Sequence, residues 1–154
     1  MTTTLTIEEL ESSDERELGT SSWHDITQEQ VNKFADATGD HQWIHVDPER
    51  ASDGPFGGPV AHGYLTLAML PMLLSEVVSV SDAVMGVNYG TEKVRFTSPV
   101  PVGSRVRLKA KLVKTQRRGP SVIWTVGVEV EIEGKEKPAL VGEVVYMAAG
   151  APDA

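Results

Sequence analysis

The sequence contains no cysteine among its 154 residues. Thiol nucleophiles, thiolate-bound zinc and disulfide bridges are therefore excluded. Basic residues are also scarce relative to acidic ones, since 14 Lys and Arg stand against 22 Asp and Glu, for a formal net charge of -8. Nucleic-acid binding requires basic side chains that neutralise phosphates, so this charge argues against nucleic acid as a partner.

The sequence has no segment that is typical of targeting or of a membrane span. The first six residues lack the basic and apolar stretches of a secretory signal. The longest apolar stretch, residues 59–80, is interrupted by His62, Pro71, Ser75 and Glu76. We therefore expect a cytoplasmic protein without a membrane partner, in which this stretch forms a buried helix.

The chain is long enough for one globular domain with its own hydrophobic core. Residues 1–20 carry six acidic side chains, a single arginine and few large apolar groups. This composition is typical of a flexible segment, so we expect an acidic leader that is flexible or at most a short surface helix. The domain itself is expected over residues 21–149, followed by a flexible tail over residues 150–154.

Two short helices are predicted before the long apolar stretch. Apolar residues recur with helical spacing after Thr27, and the pattern ends at Gly39. Asp47 and Pro48 are typical of the first residues of a helix, so a helical turn should reach Ser52. Asp47 is accordingly interpreted as a helix cap rather than a ligand.

Hydrophobic periodicity predicts the remaining elements. Residues 61–78 are apolar on every face, which indicates a buried helix, kinked at Pro71. Alternation with period two predicts strands over residues 105–112 and 126–133, joined by a turn within residues 116–120. One strand alternates with basic residues and the other with acidic ones, so the two rows should pair.

Two further strands are predicted over residues 83–97 and 140–147. A buried helix followed by long antiparallel strands is typical of an α+β layer fold, in which the sheet wraps around the helix.

A polar cluster at Asp40 and His45 precedes the glycine-rich approach to the buried helix. A carboxylate and a neutral imidazole that share one water can take its proton and return a proton to substrate. The backbone N–H of Gly63, in the first helical turn, can polarise a substrate oxygen. From the residues alone, a turn carboxylate at Asp40 and a structural buried histidine at His45 remain open.

Metal binding is not expected. His41 and His45 have a spacing that zinc sites use, but the neighbouring residues Trp43, Ile44 and Val46 suit an extended segment, and no glutamate completes a metalloprotease motif. His24, which lies just before the first predicted helix, is interpreted as structural.

Three segments, residues 37–48, 58–63 and 88–90, resemble the MaoC-like (R)-specific enoyl-CoA hydratases, especially the NodN-like branch. The signature Asp-x4-His, followed by a His-Gly pair at a helix start, is fairly specific for this family. The likeness covers about residues 22–148. It implies a single hotdog fold of the α+β class, with a long central helix wrapped by a curved antiparallel sheet.

The resemblance also implies an activity: reversible syn hydration of trans-2-enoyl-CoA to (3R)-3-hydroxyacyl-CoA. Asp40 and His45 would activate the water, and the Gly63 amide would polarise the thioester carbonyl. Gln42, where many hydratases have asparagine, is expected to support the site through its side-chain amide. The family further implies a homodimer with the substrate channel near the subunit interface, and no cofactor, because coenzyme A is part of the substrate.

Candidates for substrate binding are Asn88, Tyr89 and Arg95. The alternatives are a hotdog thioesterase, an acyl-thioester binding subunit without its own catalysis, and a dehydratase acting on acyl carrier protein substrates. The presence of both Asp40 and His45 favours the hydratase over the first two. An acidic carrier protein prefers a basic docking surface, so the acidic leader favours coenzyme A as the carrier.

Overall fold

The structure is a computed structural model and describes residues 2–152. Among the described residues, the first half of the chain holds short strands and all six helices, and long strands make up most of the second half. In chain order the described elements are β1 (Thr3–Leu5), α1 (Ile7–Ser12), β2 (Arg16–Thr20), β3 (His24–Asp25), α2 (Gln28–Thr38), α3 (Trp43–Val46), α4 (Pro48–Ser52), α5 (Gly63–Ala68), α6 (Leu70–Ser75), β4 (Val78–Val80), β5 (Met85–Arg95), β6 (Arg105–Arg118), β7 (Ser121–Ile132) and β8 (Leu140–Ala149).

The main sheet has the strand order β2-β6-β7-β8-β5, with β3 also paired to β6, and every pairing in it is antiparallel. Strands β6 and β7 form the predicted hairpin, which turns at Gly119 and Pro120. The predicted pairing of basic and acidic rows is confirmed, since Arg107 bonds to Glu131 across the two strands. The opposite face of the hairpin is apolar and contributes to the core.

Helices α5 and α6 follow one another and contact the sheet at β8 and β6. Leu65, Leu70 and Leu73 are among their buried residues. The predicted interruption is confirmed, although it falls at Met69, just before Pro71. Proline has no N–H to donate to the preceding turn, which explains the break. The helical residues run from 63 to 75, fewer than predicted, because the backbone is extended at both ends of the apolar stretch: Val60 forms an isolated bridge with Pro101, and Val78 pairs with Thr3 of β1.

The two short helices are confirmed with their caps. Helix α2 begins after Thr27, whose hydroxyl accepts the N–H of Gln30 at 3.1 Å. It ends at Gly39, whose φ of 86° reverses the chain direction, a conformation that glycine adopts at little cost. Helix α4 is capped by the Asp47 carboxylate, which accepts the N–H of Arg50 at 3.1 Å.

Residues 3–20, which we expected to be flexible, are packed against the rest of the chain. Strand β1 runs parallel to β4, and Leu10 of helix α1 is completely buried. Three further apolar residues of this segment are also buried: Leu5, Ile7 and Leu18. Their burial depends on partners more than 70 residues away, which local composition does not reveal.

The ends of the chain are only partly described. Met1, at the start of the predicted leader, lies outside the described residues, as do Asp153 and Ala154 of the predicted tail. Within that tail, the N–H of Gly150 donates to the Ser121 hydroxyl at 3.2 Å. No helix in residues 2–152 is long and apolar enough to cross a membrane.

Candidate active site

Asp40 is held by the turn that follows helix α2. Its N–H donates to the Thr38 hydroxyl at 3.4 Å, and its carboxylate accepts the backbone N–H of Gln42 at 3.3 Å. An aspartate that accepts a backbone N–H two residues further on forms an Asx turn, which fixes its carboxylate. The Asp40 side chain nevertheless stays exposed to solvent, so it remains accessible to water and substrate.

His45 lies on the helical turn α3 and is buried, with 7% exposure. We expected an extended segment here, and that prediction is wrong: residues 43–46 form a helical turn, in which the N–H of Asp47 donates to the carbonyl of Trp43. Bulky and β-branched side chains favour strands locally, but tertiary contacts outweigh that preference. The Gln28 amide, for example, donates to the His45 backbone carbonyl at 2.8 Å.

The hydrogen bond of the His45 ring determines which nitrogen is free. Its Nδ1 lies 2.7 Å from the carbonyl oxygen of Val60. Because a carbonyl only accepts, Nδ1 must carry the proton in this bond. In the neutral imidazole the lone pair is then on Nε2, which is the atom available as a base.

His62 immediately precedes helix α5 and is 2% exposed. Its Nε2 donates to the backbone carbonyl of Asp40 at 3.0 Å. The rings of His62 and His45 are stacked, with centroids 3.9 Å apart and planes inclined by 24°. The ring of Phe34 also contacts His62, at a centroid distance of 4.9 Å. His62 therefore connects the Asp40 turn, the His45 ring and the start of helix α5.

Asp40, His45 and His62 form a cluster in which one side-chain ligand atom of each lies within 4.8 Å of the others. Among the described residues, no direct hydrogen bond joins the Asp40 carboxylate to either imidazole. One water that bonds to both groups spans a separation of this size. The cluster can thus hold a water between a carboxylate and an imidazole, as general-base chemistry requires.

Two imidazoles and a carboxylate are also a donor set for a divalent cation. A metal ion lies close to the plane of each imidazole that binds it. The rings of His45 and His62 are stacked face to face, so their in-plane lone pairs do not converge on one point. This geometry favours a water over a shared metal ion, and the absence of a metal stays a prediction.

Gly63 is the first residue of helix α5, where backbone N–H groups have no partner within the helix. It lines a cavity of about 280 Å³ together with mainly apolar residues, among them Phe56, Ala61, Phe96 and Val100. Tyr64 packs edge-on against the ring of Phe96 at 5.2 Å. The N–H of Gly63 is thus placed next to an apolar cavity, as the donor of an oxyanion site would be.

The other candidates occupy different positions. Gln42 contacts Asp40 through its backbone N–H, whereas its exposed side-chain amide makes no hydrogen bond within the described residues; the predicted support by that amide is not seen. Asn88, Tyr89 and Arg95 lie on strand β5. Within the described chain they do not line the cavity beside Gly63, so their role in substrate binding stays a prediction.

The remaining histidines lie outside the cluster. His41 is exposed and bonds to Asp36 at 2.9 Å, and this hydrogen bond is the main reason that the pKa of His41 is raised. His24 contacts the carboxylate of Glu76, which also accepts the Ser22 hydroxyl at 2.6 Å. The bond from Ser22 is the largest cause of the lowered pKa of Glu76.

Comparison with solved structures identifies the class of fold. The structure of the R-hydratase PhaJ1 from Pseudomonas aeruginosa superposes with a TM-score of 0.73 at 22% identity, covering 96% of this chain and 87% of that chain. The chain therefore has the hotdog fold, of the α+β class, that the sequence motifs predicted.

Sequence comparison then identifies the family. The MaoC like domain model matches residues 9–133. The 3-hydroxyacyl-thioester dehydratase Z of Mycobacterium tuberculosis is 51% identical over 146 residues, which cover 94% of this chain and 97% of the relative. Nodulation protein N of Rhizobium meliloti is 48% identical over 136 residues, covering 86% and 84%. The chain belongs to the MaoC-like dehydratase family.

Sequence reasoning missed three residues that shape the site. The sequence motif contains His62 without assigning it a role, although a histidine that interrupts an apolar stretch directly before a helix start indicates a functional position. Gln28 and Phe96 gave no such signal, because their contacts with His45 and Gly63 join segments that are distant in sequence.

Proposed function

We propose that this protein is an (R)-specific enoyl-CoA hydratase that catalyses the reversible syn hydration of trans-2-enoyl-CoA to (3R)-3-hydroxyacyl-CoA. One observation carries the proposal: the Asp40 carboxylate and the His45 imidazole lie within 4.8 Å of each other, and the hydrogen bond at Nδ1 leaves Nε2 as the base. The name of the mycobacterial relative, a 3-hydroxyacyl-thioester dehydratase, supports the same reaction in the reverse direction.

The first step is polarisation of the substrate. The Gly63 N–H donates to the thioester carbonyl oxygen, which withdraws electrons from the conjugated double bond and makes the β-carbon electrophilic. Negative charge grows on that oxygen as an enolate forms, so the donor acts most strongly on the transition state. The apolar cavity beside Gly63 suits the acyl part of the substrate, because it excludes competing water.

The second step is attack by water. The water held between Asp40 and His45 gives a proton to the catalytic pair while its oxygen forms the bond to the β-carbon. A proton then adds to the α-carbon on the same face, which restores the carbonyl and gives the 3-hydroxyacyl thioester. One water adds across one carbon–carbon double bond, so the atoms balance, and the reaction needs neither an oxidant nor a reductant. These steps need no cofactor, since coenzyme A is part of the substrate.

We also propose that the protein acts as a homodimer. Among residues 2–152, strand β5 pairs with β8 alone along its 11 residues, so it forms an edge of the sheet. Large apolar side chains are exposed on β5 and on helices α5 and α6, including Met85 at 58%, Tyr89 at 51% and Tyr64 at 68%. Long, exposed edge strands with apolar side chains are normally covered by another chain, and a second copy covers this one.

The experiment that tests the activity follows the ultraviolet absorbance of the conjugated enoyl thioester when purified protein is added to crotonyl-CoA and to a longer enoyl-CoA. A (3R)-specific dehydrogenase coupled to the reaction reads the configuration of the product. We expect loss of absorbance and a (3R) product with at least one of the two substrates.

The alternatives give different results in the same assay. Release of free coenzyme A, detected with a thiol reagent, would indicate a thioesterase and contradict the proposal. If enoyl groups are hydrated only when they are attached to acyl carrier protein, the natural carrier is acyl carrier protein and not coenzyme A. No reaction with either carrier would indicate a binding subunit.

A further inference from the structure

We infer that His62 is a positioning residue for the catalytic pair, an inference that rests on the proposed function. Its imidazole holds the Asp40 turn through Nε2 and supports the His45 ring by stacking, so that the carboxylate, the base and the Gly63 amide keep one relative geometry. The mechanism above uses no atom of His62, yet this histidine is among the few polar side chains that the core buries.

The hydrogen bond of His62 is the first line of support. Nε2 lies 3.0 Å from the Asp40 backbone carbonyl, so the proton of the neutral ring must be on Nε2. Nδ1 then carries the lone pair, and within the described chain it is buried without a hydrogen-bond partner. A buried polar atom that lacks a partner costs free energy. The ring is thus oriented for its contact with Asp40 at the expense of its other nitrogen.

The stacking is the second line of support. The hydrogen bond from Nδ1 to the Val60 carbonyl holds one edge of the His45 ring. This bond alone does not stop the ring from rotating about it. The face-to-face contact of the His62 ring, 3.9 Å away, restricts that rotation. Phe34 packs against His62 in turn. The direction of Nε2 of His45 therefore depends on a ring that does not itself take part in the reaction.

The position of His62 in the chain is the third line of support. It is joined directly to Gly63, so a shift of His62 also moves the amide that polarises the carbonyl. Misplacing a catalytic group by about 1 Å can cost about 10²-fold in rate. The contacts that hold the His62 side chain therefore also constrain the position of the Gly63 amide relative to His45.

The two contacts of His62 are separated by two substitutions. His62→Gln keeps an N–H donor near the position of Nε2 but removes the ring, whereas His62→Phe keeps a ring for stacking but removes the donor. We expect each variant to lower kcat by at least about tenfold, with KM changed less than about threefold, because His62 does not touch the substrate. Wild-type kcat in both variants would overturn the inference.

A double-mutant cycle distinguishes positioning from a general structural role. Without His45 the stack has no catalytic group to orient, so His62→Gln, which removes the ring but keeps the donor to Asp40, should lower the residual rate of His45→Gln by less than about twofold. If His62→Gln lowers the rate by the same factor with and without His45, its effect is a general loss of structure, and the inference fails.

A measurement on the unmodified protein keeps the inference testable even if these variants do not fold. The sequence has four histidines, so nitrogen-15 NMR of the imidazoles resolves their tautomers at neutral pH. We expect the proton on Nε2 for His62 and on Nδ1 for His45, that is, opposite tautomers in one stacked pair. The proton on Nδ1 of His62 would overturn the inference. This result does not depend on which thioester the protein hydrates, so it fails independently of the proposed function.

Discussion

The ring of Phe96 lies against Gly63 so closely that a β-carbon at Gly63 would be only 2.7 Å from Phe96 Cδ2. Ordinary van der Waals contacts of carbon atoms are longer by about 1 Å. Because the backbone of Gly63 has a conformation open to other residues, the requirement for glycine here comes from the approach of the aromatic ring. The same ring borders the cavity that receives the acyl group in our proposal.

Gly63→Ala should therefore displace either the Phe96 ring or the Gly63 amide. We expect kcat/KM for crotonyl-CoA to fall by at least about tenfold, since even a partial loss of an oxyanion donor is costly. Phe96→Leu, which shortens the neighbouring side chain, should recover part of that loss when combined with Gly63→Ala.

The matched control is Gly58→Ala in the loop that precedes helix α5, because an added β-carbon there meets no atom within 4 Å. We expect it to keep kcat/KM within about twofold of the wild-type value, as for an exposed substitution with no new contact. Unchanged kcat/KM in Gly63→Ala would contradict the proposed role of the Gly63 amide.

The lowered pKa of Glu76 predicts an acid-dependent loss of stability. Hydrogen bonds from Ser22 and then His24 favour the charged carboxylate in the folded state. The stabilisation is complete above the ordinary value of 4.5 and is lost as the pH falls through the lower folded-state pKa. Urea unfolding of the wild type and of Glu76→Gln should differ in free energy at pH 7, and this difference should shrink as the pH falls below 4.5. If the difference in free energy of unfolding instead grew as the pH fell, the prediction would be contradicted.

Asp47 should matter for stability rather than for catalysis. Its carboxylate caps helix α4, and loss of such a cap costs about 1 kcal/mol. We expect Asp47→Ala to lower the free energy of unfolding by about that amount in chemical denaturation, and Asp47→Ser, which retains a capping oxygen, to recover most of it. A fall in kcat as large as that caused by Asp40→Asn would instead place Asp47 in the active site.

The proposed dimer is tested at the exposed edge. Met85→Asp places a charge on strand β5, where a second copy would bury an apolar side chain, and burial of an unpaired charge is unfavourable. Light scattering after size-exclusion chromatography should show a dimer for the wild type and a shift to monomer for the variant. Ser12→Asp, on an exposed position of helix α1, is the control and should remain dimeric. A monomeric wild type at micromolar concentration would contradict the proposal.

Much of the fold follows from local patterns. The opposite charges of strands β6 and β7 predict their pairing, because a period of two places each row on one face. The limits of helix α2 follow from Thr27 and Gly39, whose side-chain and backbone preferences act within a few residues. These elements are predictable because the interactions that define them are local.

The rest depends on contacts between distant segments. Leu10 is buried in an acidic segment that local composition describes as flexible. The turn at Trp43 is helical because His45 is held from both sides by Val60 and Gln28. In the same way, the sequence motif identifies Asp40 and His45, but only the folded chain shows which nitrogen of His45 is free.

The central claim is that Asp40 and His45 together activate the attacking water. The measurement that tests it most directly is the rate of crotonyl-CoA hydration by Asp40→Asn, His45→Gln and, as a control in the same segment, His41→Gln. His41 is exposed and bonds to Asp36, away from the cluster. We predict a fall in kcat of at least about 10²-fold in the first two variants, with folding intact by circular dichroism, and a rate close to wild type for His41→Gln. Near-normal turnover in Asp40→Asn or His45→Gln would contradict the account.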